Sequence, residues 1–271
     1  MSERKTSTVD NSELAKMERV EEKFNKAKGL QNIDERIRKK YQKDWRKPDE
    51  KTKQLSVASY LIYTLAIRPG SRRNDKTFGC CTLLVKHMTL TPRNKKITLS
   101  FPGNCSVSYK KTISVPTAVF TNLEQFIKGK SPTKEIFDKI NATTLNKYLR
   151  ESAGTDDVSS KIIRTYRGCV EFEEKLEEYS KLRIAGKMKY YRALRDTAKL
   201  LNHKRRMGTE LNLDCTEDYY VDPRITVAWC KRFRVPIENV FSKKRIRKFK
   251  WAMSTARDYK FNLCVWIYDN S

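Results

Sequence analysis

The positions of the apolar residues predict that most of this chain is helical. In the stretch KQLSVASYLIYTLAIR, residues 53–68, the apolar residues fall on one stripe, and Pro69-Gly70 ends the run. That pattern predicts a buried helix. Residues 1–50 are highly charged and carry widely spaced apolar positions. They predict one or two amphipathic helices, broken near Gly29, after a disordered tip.

Three runs in the middle of the chain have the character of strands instead. They read CTLLVKHMTLT, KKITLSF and SVSYKKTISV, and the turn-forming stretches PRN and PGNC separate them. β-Branched and apolar residues between such turns favour short antiparallel strands. We therefore expect a three-stranded antiparallel meander.

From Pro116 onward the pattern is helical again, so the predicted fold class is α+β, mainly α. The helical stretches are VFTNLEQFIKGK, TTLNKYLRES, SKIIRTYRGCVEFEEKLEEYSKL, KMKYYRALRDTAKLLNHKRR, RITVAWCKRF and the basic SKKRIRKFKWAMSTAR. We expect four parts: a charged helical segment over 1–50, a core of helices and sheet over 51–206, a short polar linker over 207–217, and a C-terminal domain over 218–271.

The charge of the chain indicates what kind of partner it binds. Lys and Arg total 58 against 32 Asp and Glu, a formal net charge of +26. Such an excess points to a polyanion, and nucleic acid is the usual one. No apolar run has transmembrane length. A membrane surface is the weaker alternative, because the basic residues are not concentrated in one amphipathic helix.

Cysteine and histidine usage adds two expectations. The seven cysteines are dispersed and form no CxxC pair, which favours a reducing compartment. His87 and His203 are the two histidines of the chain, so the sequence does not predict a zinc site.

Four residues could serve chemistry on a phosphodiester. Arg68 closes the predicted buried helix at LAIRPG, and Arg164 lies among apolar residues in KIIRTYRG. His203 lies in LLNHKRR, and Tyr220 lies in EDYYVDPR. A tyrosine hydroxyl can act as a nucleophile. Two guanidiniums and a histidine can then stabilise the charge that develops on the nonbridging oxygens.

Each of these residues also has a plain structural interpretation. An arginine near a helix end usually meets the helix dipole or solvent, a histidine beside Lys and Arg is usually on the surface, and a tyrosine usually packs half-buried. Spacing along the sequence does not by itself show that the four residues converge.

The order Arg, Arg, His, Tyr resembles that of the type IB DNA topoisomerases, and the local sequences resemble the eukaryotic nuclear enzyme. The resemblance covers residues from about 15 to about 261. Its motifs are KDWRK, LAIRPG, GCCTLLVKHMTLTP, IFDKINATTLNKYL, IIRTYRG, LLNHKRR and YYVDPRITVAWCKRFRVPIENVFSKKRIRKFKWAM.

The resemblance implies a site and a reaction. Arg68, Arg164 and His203 would form the phosphate pocket. Tyr220 would be the nucleophile, because the family places it two residues before the Asp-Pro pair, whereas Tyr219 falls where the family usually has Asn. The implied reaction needs no metal, ATP or other cofactor. It passes through a 3′-phosphotyrosyl link on double-stranded DNA, and the implied compartment is the nucleus.

Basic residues near the motifs are the expected DNA contacts. They are Lys161, Lys204, Arg205, Arg206, Lys243, Lys244, Arg245 and Lys248.

One departure from the family affects the chemistry. The family has a lysine after the glycine of its strand turn, and this lysine is the general acid for the leaving 5′-oxygen. The turn here reads FPGNC, so Asn104 holds that position. A missing general acid typically costs about 10²–10⁴-fold in rate. The nearby lysines Lys96, Lys110 and Lys111 are expected to point elsewhere.

Two further departures concern architecture. The family's long N-terminal cap has no counterpart in this sequence, and a separate chain supplying a cap is one expected partner. The family's coiled-coil linker is also absent, since sixteen residues separate His203 from Tyr220.

Two rival interpretations stay open. A tyrosine recombinase would carry His three residues before the second arginine, where this chain has Lys161. The second rival is a DNA-binding paralogue without catalytic activity, as Asn104 and the missing cap would allow.

Overall fold

A computed structural model describes residues 11–71, 77–103, 106–205 and 210–262. Within these residues it contains ten α-helices and one three-stranded antiparallel sheet, which confirms the mainly helical α+β class. The elements are α1 Asn11–Gly29, α2 Asp34–Asp44, α3 Glu50–Leu65, β1 Met88–Thr91, β2 Lys96–Pro102, β3 Ser108–Ser114, α4 Thr117–Ile127, α5 Ala142–Ala153, α6 Ser160–Ser180, α7 Gly186–Leu200, α8 Leu213–Tyr220, α9 Pro223–Phe233 and α10 Lys243–Lys248.

The predicted buried helix is α3, and the turn at its C-terminal end sets the direction of the chain that carries Arg68. Its first turn is capped by Asp49, whose carboxylate accepts the backbone N–H of Thr52 at 2.8 Å. The helix ends at Leu65, and the next residue, Ala66, takes the left-handed conformation with φ 49°. The prediction that the helix reaches residue 68 is therefore wrong by three residues. The left-handed turn directs Ile67 and Arg68 out of the helix.

The predicted meander is confirmed, with the strand order β1-β2-β3. Phe101 on β2 lies opposite Tyr109 on β3. The first strand is shorter than predicted, because 3₁₀ turns occupy Cys80–Thr82 and Val85–His87 before it. In the second of these turns, His87 Nδ1 accepts the backbone N–H of Leu84 at 3.1 Å.

Two of the C-terminal helices are also shorter than the pattern predicts. Helix α7 ends at Leu200, because Asn202 turns left-handed and the N–H of His203 bonds back to the Ala198 carbonyl at 2.9 Å. The basic stretch 242–257 forms α10 followed by a 3₁₀ turn at Lys250–Ala252. The segment predicted as a linker overlaps α8, which begins at Leu213.

The buried apolar side chains form one main cluster that extends from Phe24 on α1 to Phe261 near the end of the described chain. Hydrogen bonds tie the same regions together. The carboxylate of Glu173 on α6 accepts the backbone N–H groups of Phe261 and Asn262, each at 2.8 Å. The division into four parts stays a prediction.

Two further observations concern the described part of the chain. None of its helices is long and apolar enough to cross a membrane. Its five cysteines form no disulfide.

Candidate active site

Three of the four predicted chemical residues meet, although they lie far apart in the sequence. The Arg164 guanidinium carbon lies 5.2 Å from the centre of the Tyr220 ring, and the rings of His203 and Tyr220 are 4.7 Å apart. The three side chains are 6%, 7% and 8% exposed. Arg164 lies near the N-terminus of α6, His203 lies in the loop after α7, and Tyr220 is the last residue of α8.

Two carbonyl groups hold Arg164 in place. Its guanidinium donates to the carbonyl of Ala66, just after α3, and to the carbonyl of Leu201 at 2.6 Å. Burial lowers the pKa of Arg164, and the nearby Tyr220 hydroxyl opposes that shift. Because a guanidinium has a very high intrinsic pKa, Arg164 stays charged. The structure thus fixes a buried cation directly beside the tyrosine.

His203 is held as a neutral imidazole in one tautomer. The Arg164 guanidinium can only donate, so His203 Nε2 accepts from it at 3.1 Å. On the other side, the Thr216 hydroxyl donates to the Asn212 carbonyl at 3.0 Å, so its oxygen accepts from His203 Nδ1 at 2.9 Å. Burial, with Arg164 and Arg68 nearby, lowers the pKa of His203 to about 3.

Arg68 completes the cluster from the solvent side. It is exposed, and it lines a cavity of about 160 Å³ together with Arg164 and His203. Its backbone is fixed by the N–H of Cys80, which donates to the Arg68 carbonyl at 2.8 Å. The loop that precedes the 3₁₀ turn at Cys80–Thr82 passes so close that a Cβ on Gly79 would lie 2.6 Å from that carbonyl oxygen. All three predicted phosphate ligands therefore face one cavity.

Close packing of α6 against α8 sets the position of Tyr220. A Cβ on Gly168, four residues after Arg164, would lie 2.8 Å from the Tyr220 carbonyl oxygen and 3.4 Å from its Cβ. The Cys169 thiol also approaches that carbonyl, at 3.5 Å. The glycine of the IIRTYRG motif is thus explained by contact with the tyrosine.

Tyr219 has different surroundings from its neighbour. Its side chain is 53% exposed, and the Lys248 ammonium lies 4.9 Å from its ring centre. Its carbonyl accepts from Lys23 on α1 at 2.6 Å. Burial lowers the pKa of Lys23 to about 8. Of the two tyrosines, only Tyr220 is in contact with Arg164 and His203.

The predicted DNA contacts fall into different environments. Lys161, Lys243 and Lys244 are exposed, and Lys204 lines the cavity. Arg245 instead pairs within the protein, with Asp214 at 2.7 Å, Glu217 at 2.9 Å and Asp218 at 2.9 Å, all on α8.

The other predicted DNA contacts either pair with carboxylates of the protein or lie outside the described residues. Lys248 pairs with Asp218 at 3.1 Å, and Arg205 lies 3.6 Å from Glu210. Arg206 lies outside the described residues. A DNA-binding role stays a prediction for all eight residues.

Asn104 lies outside the described residues. The lysines considered as substitutes do not line the cavity. Lys110 and Lys111 line a separate groove with Arg167, and Lys96 lies opposite Ser114 at the far end of the sheet from Gly103.

Sequence reasoning missed several residues that shape the site. Thr216 orients His203, Gly168 admits Tyr220, and Lys23 holds the end of α8. Thr216 and Gly168 lie within or beside motifs, but nothing in the pattern of the charged N-terminal segment marks Lys23. Among the described residues there is no group of three His, Cys, Asp or Glu that could hold a metal ion.

A mainly helical fold with a small sheet and a buried Arg–His–Tyr cluster is the arrangement expected for the type IB class of DNA topoisomerases. Comparison with known families supports this. Residues 11–218 match the model for the eukaryotic DNA topoisomerase I catalytic core, and residues 195–261 match the model for the C-terminal topoisomerase domain. The chain belongs to the eukaryotic DNA topoisomerase I family.

Individual relatives agree with the family match. The chain is 28% identical to the human protein named DNA topoisomerase I, mitochondrial, over 89% of its own length and 54% of the relative's. It is 28% identical to mouse DNA topoisomerase 1, over 93% of this chain and 44% of the mouse protein. It is 30% identical to DNA topoisomerase 1 alpha of Arabidopsis thaliana, over 89% of this chain and 35% of the plant protein. The chain thus spans about half the length of these relatives, or less.

Proposed function

We propose that this chain relaxes supercoiled DNA as a type IB topoisomerase, with Tyr220 as the nucleophile. The observation that carries the proposal is the contact of Tyr220 with Arg164 and His203 beside a cavity that Arg68 also lines. The net charge of +26 supports a duplex DNA substrate.

In the proposed reaction the Tyr220 oxygen attacks a DNA phosphorus. A phosphotyrosyl bond forms at the 3′ side while the bond to the 5′-oxygen breaks. The phenol proton passes to solvent, and the 5′-oxygen takes a proton from solvent and leaves as a hydroxyl. Arg164 and Arg68 bind the nonbridging oxygens, where negative charge increases in the transition state. The broken strand swivels, and the 5′-hydroxyl attacks the phosphotyrosine to reseal it. Since the covalent link conserves the phosphodiester energy, the cycle needs no ATP.

His203 must change its hydrogen bonding to take part in this reaction. Its Nε2 accepts from Arg164 and so carries no proton to donate. We infer that a bound phosphate, by its negative charge, favours a proton on Nε2. Arg164 then turns from the imidazole to the phosphate oxygens.

A second candidate function is DNA binding without catalysis. The observation that favours it is Asn104, because an amide cannot protonate the leaving 5′-oxygen as a lysine would. In this alternative the basic surface binds duplex DNA and no covalent link forms. For either function, a separate chain is the proposed source of a cap over the DNA.

The deciding experiment is relaxation of a supercoiled plasmid without ATP or metal. The active enzyme relaxes the plasmid, and the binding paralogue only shifts its mobility. On a suicide substrate, we expect Tyr220→Phe to abolish the covalent adduct and the matched control Tyr219→Phe to keep it. Both variants should still bind DNA, since each loses one hydroxyl. An equal adduct yield from Tyr220→Phe and the parent would refute the assignment of the nucleophile.

We also propose that the protein acts in the nucleus. The support is the resemblance to the nuclear enzyme, while the human relative described above carries the name mitochondrial. Imaging of the fluorescently tagged full-length protein in its own cells, with nuclear and mitochondrial markers, tests this.

A further inference from the structure

A buried tyrosine hydroxyl in the cavity has no hydrogen-bond partner among the described residues. Tyr109 on β3 is 6% exposed, and its oxygen is buried and unpaired. The ring is stacked on Phe101, directly across the sheet, with centres 4.8 Å apart and planes at 23°. A buried hydroxyl left unpaired destabilises the folded protein, so its presence calls for an explanation.

A second unpaired donor points to the same ligand. Arg164 Nε is also buried and has no partner within the described part of the chain. Both residues line the cavity, and none of the described residues that line it is an Asp or Glu. Two donors without an acceptor, beside exposed Arg68, form a site for the oxygens of an anion.

We propose that the Tyr109 hydroxyl donates a hydrogen bond to a nonbridging oxygen of the phosphodiester that Tyr220 attacks. The inference rests on the proposed function and adds a fourth phosphate contact to Arg68, Arg164 and His203. Burial raises the pKa of Tyr109, with Arg164 opposing, so the hydroxyl keeps its proton at neutral pH and can donate. Negative charge grows on that oxygen as Tyr220 attacks, so the bond strengthens in the transition state.

The chain offers a matched control. Tyr63 on α3 also carries a buried hydroxyl that is unpaired among the described residues, but it lies away from the cavity, with the Arg38 guanidinium 5.6 Å from its ring. Tyr63→Phe and Tyr109→Phe each remove one such oxygen. Since neither removed hydroxyl has a partner to lose, both variants should unfold at or above the temperature of the parent.

The test measures single-turnover cleavage of a suicide DNA substrate by the full chain. We expect Tyr109→Phe to slow cleavage by about 10²-fold, the lower end of the range for loss of one oxyanion donor. Tyr63→Phe should cleave like the parent. Unchanged cleavage by Tyr109→Phe would overturn the inference. A loss that disappears on a 5′-bridging phosphorothiolate substrate would overturn it too, because the hydroxyl would then serve the leaving oxygen.

A second measurement separates this inference from the proposed function. Inorganic phosphate should raise the unfolding temperature of the parent and of Tyr63→Phe by the same amount, and that of Tyr109→Phe by clearly less. If the parent forms no adduct but this difference is seen, the proposed function fails and the phosphate contact stands. Equal shifts in all three proteins would overturn the contact whether or not DNA is cleaved.

Discussion

His203 is neutral because its surroundings penalise the charged form. Its imidazole lies between Thr216 and the Arg164 guanidinium, and burial is the main cause of its lowered pKa. The pKa is about 3 in the folded protein, compared with an ordinary value near 6.5. Between these two values the unfolded chain holds a proton that the folded chain does not.

The pH dependence of stability follows from this difference. The contribution of neutral His203 to the free energy of unfolding is fully present above pH 6.5 and is lost as pH falls towards 3. Lowering the pH from 7 to 5 should therefore reduce the free energy of unfolding of the parent by up to about 2 kcal/mol more than that of the variant His203→Gln. Urea unfolding of both proteins at the two pH values measures the difference. An equal loss in parent and variant would show that His203 is not buried as a neutral group.

Asn104 gives the second prediction at the residue scale. If the pocket is intact and only the proton donor is missing, a substrate with a 5′-bridging phosphorothiolate should be cleaved much faster than ordinary DNA, because a thiolate leaves without protonation. Asn104→Lys should raise cleavage of ordinary DNA by about 10²-fold and hardly change cleavage of the sulfur substrate. Rates of adduct formation on the two substrates measure this.

Two other outcomes for Asn104 would be informative. The binding paralogue forms no adduct on either substrate, with or without the lysine. If ordinary DNA is cleaved quickly and Asn104→Lys changes nothing, another group already protonates the leaving oxygen. Lys204 would then be the first to test, since it is the one lysine among the described residues that line the cavity.

At the scale of elements, the contact of α6 with α8 decides whether the tyrosine reaches its partners. Gly168 faces the carbonyl and Cβ of Tyr220, as well as Leu201 in the chain that follows α7. Tyr190 on α7 reinforces this arrangement by donating to the Glu217 carboxylate on α8 at 2.7 Å. The three helices thus form one packed unit, in which α6 carries Arg164, α8 carries Tyr220 and the loop after α7 carries His203.

Gly168→Ala tests this unit. A methyl group would push α8 away from α6, and overpacking of that kind costs about 1–3 kcal/mol, more than the roughly 1 kcal/mol that alanine contributes to a helix interior. We expect lower stability and much slower adduct formation. The control is Gly29→Ala, where no atom lies within 4 Å of the added Cβ. Normal cleavage by a fully stable Gly168→Ala would show that the close contact does not position Tyr220.

Electrostatics acts at the scale of the whole molecule. The formal charge of +26 includes exposed lysines such as Lys161, Lys243 and Lys244. By contrast, the guanidinium of Arg245 is occupied by three carboxylates of α8 and anchors α10 to the helix that carries the tyrosine. DNA affinity should therefore come from many separated phosphate contacts and not from the basic helix alone.

The salt dependence of binding measures those contacts. If about six phosphates are neutralised, the logarithm of the binding constant should fall with the logarithm of salt concentration with a slope near −5. Fluorescence anisotropy with duplexes of unrelated sequence tests the slope, and affinity should vary little among them, because phosphate contacts do not read bases. A flat salt response would contradict the broad phosphate-binding surface.

The sequence by itself determined the fold class, the order of the strands and the identity of Arg164, His203 and Tyr220 as candidates. Apolar spacing records which face of each element is buried, so α3, α6 and the meander could be predicted. Element ends were predicted less well. Helices α3 and α7 end at left-handed turns formed by Ala66 and Asn202, where the sequence has no glycine to indicate a helix end. The apolar run before β1 folds into 3₁₀ turns.

Only the tertiary structure decided how the candidates work together. The tautomer of His203 depends on Thr216 and Arg164, the place of Tyr220 depends on the space at Gly168, and the unpaired hydroxyl of Tyr109 is visible only once the sheet closes the cavity. Burial and hydrogen bonding are properties of the three-dimensional surroundings, which residue spacing does not encode. Arg245 is an example. Its place in a basic run predicts contact with DNA, but in the fold its guanidinium pairs with the acidic face of α8.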